Sequence, residues 1–375
     1  MLDVIPPPFV QNYMRTYQLT LLLTESCNLR CSYCHCDKSF LSSMDESTAI
    51  AAIDRAITQR PKDEPLNILL MGGEPFIAFP LIKTVVAYVD EKYPEKKVFF
   101  KAVSNGTLIH GDVQDWLIAH RDIFEVTLSL DGDRETHNRN RCNSYDKIDF
   151  DFFRHRYGRN TTVSSVVVPE TLDCFADNVI LMEKDGFGIK YALADGVEWD
   201  IERDGPELER QLDILIGHYL SHSDTRPMNL LSYAIWCVGG DFLPERCIPG
   251  VFSSCTAPDG KEYVCHRTTT YYNNGKWVIP AEKIELKGVG PLKDECYSCC
   301  VRSVCCACPA TVASIQSDSK HVDVTCKLNK ILFRANAKLA VRMFLECPDH
   351  VHLKSRLAKM KFAMLKGAME ILEKL

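Results

Sequence analysis

Three cysteines stand close together near the start of the chain, in the run Cys27-Asn-Leu-Arg-Cys31-Ser-Tyr-Cys34. Three thiolates on one short loop can hold three irons of a cubane iron–sulfur cluster, which leaves the fourth iron open for a small ligand. Zinc is the alternative, because structural zinc also binds closely spaced cysteines together with a fourth ligand. His35 or Cys36 can supply that ligand, so the triplet alone favours the cluster without excluding zinc.

The composition of the chain also favours metal or redox chemistry. Cysteine accounts for 18 of the 375 residues. Small secreted proteins use disulfides because their cores are small, whereas this chain is long enough to bury a large core. The first basic residue is Arg15, so we expect no export signal and a cytoplasmic location.

Charge and hydropathy exclude two classes of partner. The 44 basic and 50 acidic side chains give a net charge of −6, which argues against a nucleic-acid-binding protein. The longest uncharged stretch near the middle of the chain, 227–240, has 14 residues. A membrane-spanning helix needs about 20 apolar residues. We therefore expect neither nucleic acid nor membrane as a partner.

Strand-like and helix-like segments alternate from Tyr17 to about Asp195. The strand-like segments are Gln18–Thr24, Leu66–Met71, Lys97–Val103, Glu125–Leu130, Thr162–Val168 and Lys190–Ala194, and the helix-like segments are Ser47–Thr58, Pro80–Lys92, Gly111–Ala119, Ile148–His155 and Leu172–Lys184. Six such repeats predict an α/β fold, a parallel sheet or partial (β/α)6 TIM-like barrel. Ligands of these folds bind at the carboxyl ends of the strands, and the cysteine triplet follows the first strand.

Changes in composition and hydrophobic periodicity along the sequence divide the chain into five parts. We predict an N-terminal segment 1–16, a barrel domain 17–220, a linker 221–246, a cysteine-rich domain 247–326 and C-terminal helices 327–375. The last part carries 11 basic and 4 acidic side chains, a balance of +7. It is expected either to pack on the barrel as a solvated helix or to bind an acidic peptide.

Short motifs follow three further predicted strands. They are Met71-Gly72-Gly73-Glu74-Pro75, Ser104-Asn105-Gly106-Thr107 and Ser129-Leu130-Asp131-Gly132. Glycines let a ligand approach the backbone closely, and a carboxylate accepts hydrogen bonds from an ammonium group. Taken alone, the Gly-Gly-Glu-Pro run is also compatible with a plain turn.

Together with the Cys-x3-Cys-x2-Cys run, these motifs resemble the radical S-adenosylmethionine (SAM) superfamily. The resemblance implies that Cys27, Cys31 and Cys34 hold a [4Fe–4S] cluster whose open iron chelates SAM. One electron then cleaves a carbon–sulfur bond of SAM, and the resulting 5′-deoxyadenosyl radical abstracts a hydrogen atom. The implied cofactor-binding residues are Tyr33, Gly72, Gly73, Glu74, Ser104, Asn105, Ser129, Asp131, Arg141 and Leu193.

Two of these assignments carry specific roles in the resemblance. Ser129 would bond the ribose or the carboxylate of the cofactor. Arg141 would pair with the cofactor carboxylate, because a guanidinium fork matches a carboxylate geometrically. The alternative for Arg141 is a solvated surface arginine, and its neighbours His137 and Arg139 compete for the same role.

The second field of cysteines is similar to the SPASM extension of peptide-modifying radical enzymes. That similarity implies two auxiliary [4Fe–4S] clusters, hence three clusters in all: Cys247, Cys255, Cys265 and Cys308 for cluster I, and Cys296, Cys299, Cys305 and Cys326 for cluster II. The spacing departs from the family, since only two residues separate Cys305 from Cys308. Cys300 and Cys306 offer a shifted register, and a zinc ribbon is the alternative for 296–308.

The same similarity implies a maturase that modifies a residue of a ribosomally made peptide or protein, by a thioether or carbon–carbon crosslink. His266, directly after Cys265, is the candidate base. The alternative activity is formylglycine formation in a sulfatase, in an anaerobic sulfatase-maturing enzyme. A more remote alternative is a non-catalytic iron–sulfur or zinc module. Expected partners are a flavodoxin- or ferredoxin-type electron donor and a leader-binding protein, in an anaerobic cytoplasm.

Overall fold

The computed structural model describes residues 16–34, 36–157, 161–232, 253–269, 271, 298–301, 305, 319–354 and 358–375. The strands are β1 (Tyr17–Thr24), β2 (Leu66–Gly72), β3 (Val98–Ser104), β4 (Phe124–Ser129), β5 (Thr162–Val167), β6 (Gly188–Leu193), β7 (Ser253–Thr256) and β8 (Glu262–Tyr263). The α-helices are α1 (Glu46–Thr58), α2 (Phe79–Lys92), α3 (Asp112–Ala119), α4 (Arg134–Asn140), α5 (Phe175–Lys184), α6 (Ile201–Ser221), α7 (Asn229–Ser232), α8 (Ser319–Glu346), α9 (Val351–Lys354) and α10 (Ala358–Lys374).

The strands form one sheet in the order β6-β5-β4-β3-β2-β1-β7-β8. Strands β1 to β6 are parallel, and each pairs with the next strand along the chain. A parallel sheet covered by helices on its faces needs strands that are apolar on both sides. The segment Leu19–Leu23 meets this need, because each of its residues is buried. The predicted partial barrel of six βα repeats is confirmed.

Acidic residues fix where several of these helices begin. The carboxylate of Asp45 accepts the backbone N–H of Thr48 at the start of α1, at 2.7 Å. Asp133 accepts from Thr136 in the same way at α4, at 2.8 Å. Each carboxylate satisfies one of the backbone donors that a helix start leaves unpaired. Because α4 begins directly after the loop that follows β4, its cap also fixes where that loop ends.

The structure departs from the predicted elements in several places, one of which is helix α4, absent from the predicted helices. The segment Ile148–His155 is predicted as a helix, but only Phe152–Arg156 coils there, with the wider π-helical hydrogen bonding. The hairpin of β7 and β8 is not predicted, yet β7 pairs in parallel with β1. This pairing adds the start of the cysteine-rich region to the main sheet.

The C-terminal helices are confirmed, and helix α8 packs against both α6 and α10. Arg334 and Lys338 of α8 form ion pairs with Glu209 and Asp213 of α6. Two basic side chains of the C-terminal segment are thus paired with acidic side chains of α6. In the part of the chain that the structure describes, no helix is both long and apolar enough to cross a bilayer.

Some predictions fall on residues outside those described. They are the segment 1–15, the alternative zinc ligand His35, positions 233–246 of the linker, and the cysteines Cys247, Cys296, Cys306 and Cys308. The five-part division of the chain stays a prediction.

We predict that Phe100→Ala lowers the free energy of unfolding by about 3–5 kcal/mol. Phe100 is 1% exposed in the central strand β3, and its ring lies 6.2 Å from the ring of Phe124 on β4. Removing the ring leaves a cavity beside Phe124 in the core that covers β3 and β4. Urea unfolding followed by circular dichroism measures the change.

The matched control is Phe99→Ala, one residue earlier on the same strand. Because successive strand residues face opposite sides, Phe99 points away from the Phe100–Phe124 ring contact and is 42% exposed. We expect it to cost less than half of the Phe100 effect. Equal losses for the two variants would contradict the packing described for β3.

Candidate functional site

The carboxyl edge of the parallel sheet gathers most of the predicted site residues. The cysteine loop follows β1, Gly73 follows β2, Asn105 follows β3, and Asp131 lies just beyond β4. Because neighbouring parallel strands all end at this edge, residues far apart in sequence become neighbours. The edge is therefore the candidate active site.

The three predicted cluster ligands lie on one half-buried loop. Cys27, Cys31 and Cys34 are all of intermediate exposure and free of disulfides. The sulfur of Cys27 accepts the N–H of Leu29 at 3.4 Å, and the N–H of Cys34 donates to the carbonyl of Cys31 at 3.1 Å. Such N–H contacts to sulfur are known to tune iron–sulfur clusters. The donor set therefore fits a cluster that takes one thiolate per iron.

A single metal ion places a different demand on this loop, and His35, one candidate ligand for zinc, lies outside the described residues. Among the described residues, no three His, Cys, Asp or Glu side chains converge closely enough to hold one ion. Zinc needs four ligands converging on one centre. A cubane spreads its thiolate ligands over separate irons, so it does not require that convergence.

The electrostatics of the thiols differ along the loop. Burial raises the pKa of Cys27, and it raises the pKa of Cys31 to about 11. A hydrogen bond with the thiol of Cys36, helped by the nearby ammonium of Lys38, lowers the pKa of Cys34. Cluster binding requires all three thiols to lose their protons, so it depends on pH.

Gly72 and Gly73 bring the end of β2 against the cysteine loop. The N–H of Gly73 donates to the carbonyl of Thr24 at 2.8 Å, and the N–H of Glu74 to the carbonyl of Ser26 at 3.0 Å. A Cβ on Gly72 would lie 2.1 Å from the Thr24 oxygen, and one on Gly73 would lie 2.2 Å from the Ser26 oxygen. Only glycine permits this approach of two backbones. The pair thus fixes the position at which the cysteine loop leaves the sheet.

Glu74 is fully buried and its carboxylate is satisfied by protein donors. The N–H of Phe76 donates to it at 3.1 Å, the hydroxyl of Ser104 at 2.8 Å, and the N–H of Asn105 at 2.8 Å. Burial raises the pKa of Glu74 to about 7, while the three hydrogen bonds oppose that rise. The side chains of Glu74 and Ser104 therefore join the ends of β2 and β3. Their predicted contact with a cofactor stays a prediction.

Asn28, inside the cysteine loop, is a site residue that the sequence did not predict. Its side-chain amide donates to Thr107 Oγ1 at 2.8 Å, and its oxygen accepts from the amide of Asn105 at 2.8 Å. The Asn105 oxygen in turn accepts the N–H of Thr107 at 3.0 Å. The loop is thereby bonded to the turn after β3. The Asn-Gly-Thr run indicates that Asn105 and Thr107 belong to the site. No sequence pattern indicates that Asn28 contacts them.

Asp131 is the centre of a second buried contact with the loop. The guanidinium of Arg141 donates to both carboxylate oxygens, at 2.9 Å each. The hydroxyl of Tyr33 donates to Oδ2 at 2.8 Å, and the N–H of Val166 donates to Oδ1 at 3.0 Å. Three residues predicted to touch the cofactor, Tyr33, Asp131 and Arg141, thus touch one another.

A cavity of about 210 Å³ opens beside this contact. Its walls are Ser32, Tyr33, Arg139, Asn140, Val168, Glu170 and Val197. The cavity lies between the cysteine loop, the end of α4 and the segments that follow β5 and β6. The lining combines two valines with polar and charged side chains.

Two other predicted cofactor residues lie on the same edge. Ser129 is the last residue of β4 and is buried. Leu193 ends β6, is half-buried, and pairs with Val167 of β5. The structure places both side by side with the other strand ends.

Part of the predicted cluster I ligand set lies beside β1. Cys255, on β7, is completely buried, and Cys265 follows β8. His266 Nδ1 lies 3.8 Å from the sulfur of Cys265. Arg267 forms an ion pair with Asp195, just after β6. The turn that carries His266 is therefore tied to the carboxyl edge of the barrel.

The described part of the cluster II ligand set lies elsewhere. Cys299 and Cys305 are half-buried against the main core, with Cys300 beside them. Cys326 lies within helix α8 and is exposed. The four described auxiliary cysteines other than Cys326 thus fall into two separate groups.

Comparison with known proteins is consistent with a functional site at this edge of the sheet. Residues 21–180 match the sequence model of the Radical SAM superfamily. Over these residues the chain is similar to radical SAM domains. Such a domain implies an enzyme that uses a [4Fe–4S] cluster and SAM. The matched residues include the cysteine loop, the Gly-Gly-Glu-Pro run and the Asp131–Arg141 pair.

One relative at the level of sequence matches part of the chain. An uncharacterized protein of Methanocaldococcus jannaschii is 34% identical over 114 residues, which are 30% of this chain and 38% of that protein. The matched region thus spans well under two thirds of that relative.

Solved structures show a similar fold. The structure of anSMEcpe with bound AdoMet has a TM-score of 0.67 at 18% identity, covering 86% of this chain and 97% of that chain. Streptococcus suis SuiB bound to precursor peptide SuiA has a TM-score of 0.58 at 13% identity, covering 82% and 75%. At these identities the likeness concerns the fold.

We predict that Gly73→Ala lowers the free energy of unfolding by about 1–3 kcal/mol, because the new methyl overpacks the junction. The added Cβ would lie 2.2 Å from the Ser26 oxygen and 2.8 Å from the Cys27 Cβ. The control is Gly217→Ala in helix α6, where an added Cβ meets nothing within 4 Å. Urea unfolding should show the control to be neutral or more stable than wild type, and equal losses would refute the close approach.

A further prediction concerns pH and His137, which is completely buried. Its Nδ1 accepts the N–H of Asp131 at 3.4 Å, and Nε2 contacts Ser144 Oγ at 3.0 Å. Burial and the charge of Arg141 lower its pKa to about 4. The unfolded chain then binds a proton that the folded chain does not, so stability falls as the pH falls from about 6.5 to about 4.

The measurement compares wild type with His137→Phe by urea unfolding between pH 4 and 7.5. Between pH 6.5 and 4 we expect wild type to lose about 3 kcal/mol relative to the variant, which cannot titrate at this position. Above pH 7 the difference between the two proteins should be constant. Parallel curves over the whole range would show that His137 does not titrate as its surroundings require.

Proposed function

We propose that this protein is a radical SAM maturase that modifies a side chain of a peptide or protein. The observation that carries the proposal is the half-buried loop of Cys27, Cys31 and Cys34, bonded to the ends of β2, β3 and β4. A loop held at three strand ends presents its thiols in a fixed geometry. This is what an iron–sulfur cluster that must bind a substrate-sized cofactor requires.

The residues of the carboxyl edge fit the group that the domain implies. When bound, a reduced cluster with SAM supplies a 5′-deoxyadenosyl radical that abstracts an unactivated hydrogen. Cys27, Cys31 and Cys34 would hold the cluster. The backbone of Gly72 and Gly73, with Ser129 and Leu193, would line the SAM site, and the helices around the sheet would exclude water.

A peptide or protein substrate is proposed by comparison with the structural neighbours. Two of them hold a bound peptide. SuiB holds SuiA, and anSMEcpe holds the Cp18Cys peptide in a structure with a TM-score of 0.66 at 19% identity over 86% of this chain and 98% of that chain. Within this class we propose a crosslink-forming reaction. His266 would serve as the base, since the ion pair of Arg267 with Asp195 ties its turn to the barrel edge.

Two auxiliary [4Fe–4S] clusters are proposed in addition, which makes three in total. Cys255 and Cys265 belong to the proposed ligands of cluster I, and Cys299, Cys305 and Cys326 to those of cluster II. The separation of Cys255 and Cys265 from Cys299 and Cys305 supports two sites rather than one. Cys247 and Cys308, for cluster I, and Cys296, for cluster II, complete the two sets.

Electron supply and location complete the proposal. A flavodoxin- or ferredoxin-type donor would reduce the SAM cluster, and a leader-binding protein would deliver the peptide. Because such clusters react with oxygen, we propose an anaerobic cytoplasmic setting.

The test is SAM cleavage by anaerobically reconstituted protein. We expect dithionite-reduced wild type to convert SAM to 5′-deoxyadenosine, measured by liquid chromatography. The triple variant Cys27→Ala, Cys31→Ala, Cys34→Ala should form none, because the open iron is lost with its three ligands. About twelve irons per wild-type chain supports three cubanes.

The matched control is Cys174→Ala. Cys174 is exposed, lies after β5 in a 3-10 turn, and belongs to no proposed cluster. It should cleave SAM at the wild-type rate. Deoxyadenosine formation by the triple variant would refute the assigned site, and zinc in place of iron in the wild type would refute the function.

A further inference from the structure

We propose that Lys190 of strand β6 determines specificity by pairing with a carboxylate of the substrate peptide, close to the residue that reacts. The inference rests on the proposed function and deepens it, because it names a class of substrate for the same site. It follows from the direction of the Lys190 side chain, its level in the sheet and the lack of a carboxylate beside it.

Tyr191 shows which way the side chains of β6 point. Its ring is buried and lies 5.0 Å from the ring of Phe175, at the start of α5. Because successive strand residues face opposite sides, Lys190 and Ala192 point away from α5. Both are exposed. They lie on the inner face of the sheet, by which we mean the face turned away from the helices that connect the strands.

A side chain of α7 fixes this part of β6. Strand β6 lies at one end of the described sheet, and Asn229 bonds to its free edge. The amide oxygen of Asn229 accepts the N–H of Tyr191 at 2.7 Å, and its amide nitrogen donates to the Tyr191 carbonyl at 2.8 Å. One side chain thus satisfies the backbone where a further strand would pair. The backbone next to Lys190 is therefore held, and its side chain keeps its direction.

The strand register places Lys190 level with the proposed cofactor site. Ser129 of β4 pairs with Ser164 of β5, and Ser164 pairs with Lys190. Since neighbouring strands lie about 4.8 Å apart, the backbones of Ser129 and Lys190 are about 10 Å apart along this row. Ser129 is one of the residues proposed to line the SAM site. A substrate residue that reacts beside SAM thus lies within reach of the long side chain of Lys190.

The charge of Lys190 is not compensated by the protein. Within the part of the chain that the structure describes, its ammonium group makes no hydrogen bond or ion pair. A second cation of the inner face, Lys101 on β3, is paired with Glu125 on β4 at 3.2 Å. Beyond the end of β6, Asp195 is paired with Arg267. These two carboxylates are taken by other cations, so the charge of Lys190 is left to attract an anion that binds here.

The surroundings of Lys190 suit a carboxylate of a peptide. Ser164, its partner on β5, is half-buried and carries a hydroxyl that can donate to the same anion. One row nearer the carboxyl edge, Val166 pairs with Ala192, and these small apolar side chains leave room for a substrate residue. Aspartate, glutamate and the chain terminus supply the carboxylates of a ribosomally made peptide. We therefore assign an acidic peptide segment to this part of the site.

The experiment uses anaerobically reconstituted full-length protein with SAM and two synthetic libraries of random, N-acetylated heptapeptides without cysteine. One library ends in an amide and the other in a free carboxylate. Peptides retained by the protein are sequenced by mass spectrometry. The variants are Lys190→Gln and Lys190→Glu, and the matched control is Lys62→Glu. Lys62 is exposed in the loop that leads into β2, at the opposite edge of the sheet.

We expect wild type and Lys62→Glu to enrich acidic residues about fivefold over the amidated library, the effect of one partly solvated ion pair. Lys190→Gln should abolish the enrichment, and Lys190→Glu should enrich lysine and arginine instead. Retention from the carboxylate library alone, lost in Lys190→Gln, would assign the chain terminus as the partner. If Lys190→Glu fails to fold by circular dichroism, Lys190→Gln decides.

Absence of acidic enrichment and of terminus-dependent retention in wild type, or persistence of either in Lys190→Gln, would overturn the role of Lys190. Formation of 5′-deoxyadenosine by the same wild-type preparation separates this failure from failure of the proposed function. A preparation that cleaves SAM without selecting acidic peptides refutes only the inference. One that does not cleave SAM refutes the proposed function.

Discussion

The buried carboxylate of Asp131 is the constraint on which the geometry of the site depends. An isolated carboxylate cannot remain charged in the interior without several compensating partners. Here a guanidinium, a phenol and a backbone N–H supply them from three separate elements: Arg141 after α4, Tyr33 in the cysteine loop, and Val166 in β5. Because each partner must be present for the charge to be tolerated, satisfying it fixes the three elements relative to β4.

A second buried carboxylate plays the same part on the other side of the loop. Glu74 links the end of β2 to Ser104 and Asn105 at the end of β3. Asn105 in turn holds Asn28, so the first half of the cysteine loop is fixed through Glu74 and the second half through Asp131. The glycines before Glu74 allow the loop backbone to lie against β2. Glu74 and Asp131 thus fix the position of the cysteine loop through other residues, without contacting the thiols themselves.

Elements with a local signal were predictable from the sequence. The six parallel strands are apolar runs whose burial follows from their composition, and the cysteine triplet and Gly72–Glu74 were visible as spacing. Strand β7 was not, because Ser253–Thr256 has no apolar alternation and becomes a strand only by pairing with β1. Asn28 has its partners 77 and 79 positions away. A polar contact over such a separation leaves no periodic trace in one sequence.

The roles of charged residues were harder to predict than their presence. Arg141 is one of three candidates for an anion partner in the segment His137–Arg141, and type and spacing do not distinguish them. Burial does: His137 is completely buried and holds the N–H of Asp131, Arg141 is paired, and Arg139 is exposed. Which carboxylate of the protein a guanidinium pairs with depends on the fold, and the pairing leaves its other N–H donors for further partners. Only the packing of β4 against α4 shows that carboxylate.

The same reasoning applies to the basic tail. Its surplus of positive charge is compatible with an acidic peptide partner, but Arg334 and Lys338 face Glu209 and Asp213 across the α6–α8 contact. Exposed pairs of this kind contribute at most about 1 kcal/mol each, so they guide the packing of the helices more than they stabilise it. Apolar residues of α8 such as Leu332 and Leu339 are buried, and burial of such side chains contributes more free energy than an exposed ion pair. Helix α8 thus packs against neighbouring helices with buried apolar residues and pairs two basic residues with α6, while the binding of an acidic peptide by the tail stays a prediction.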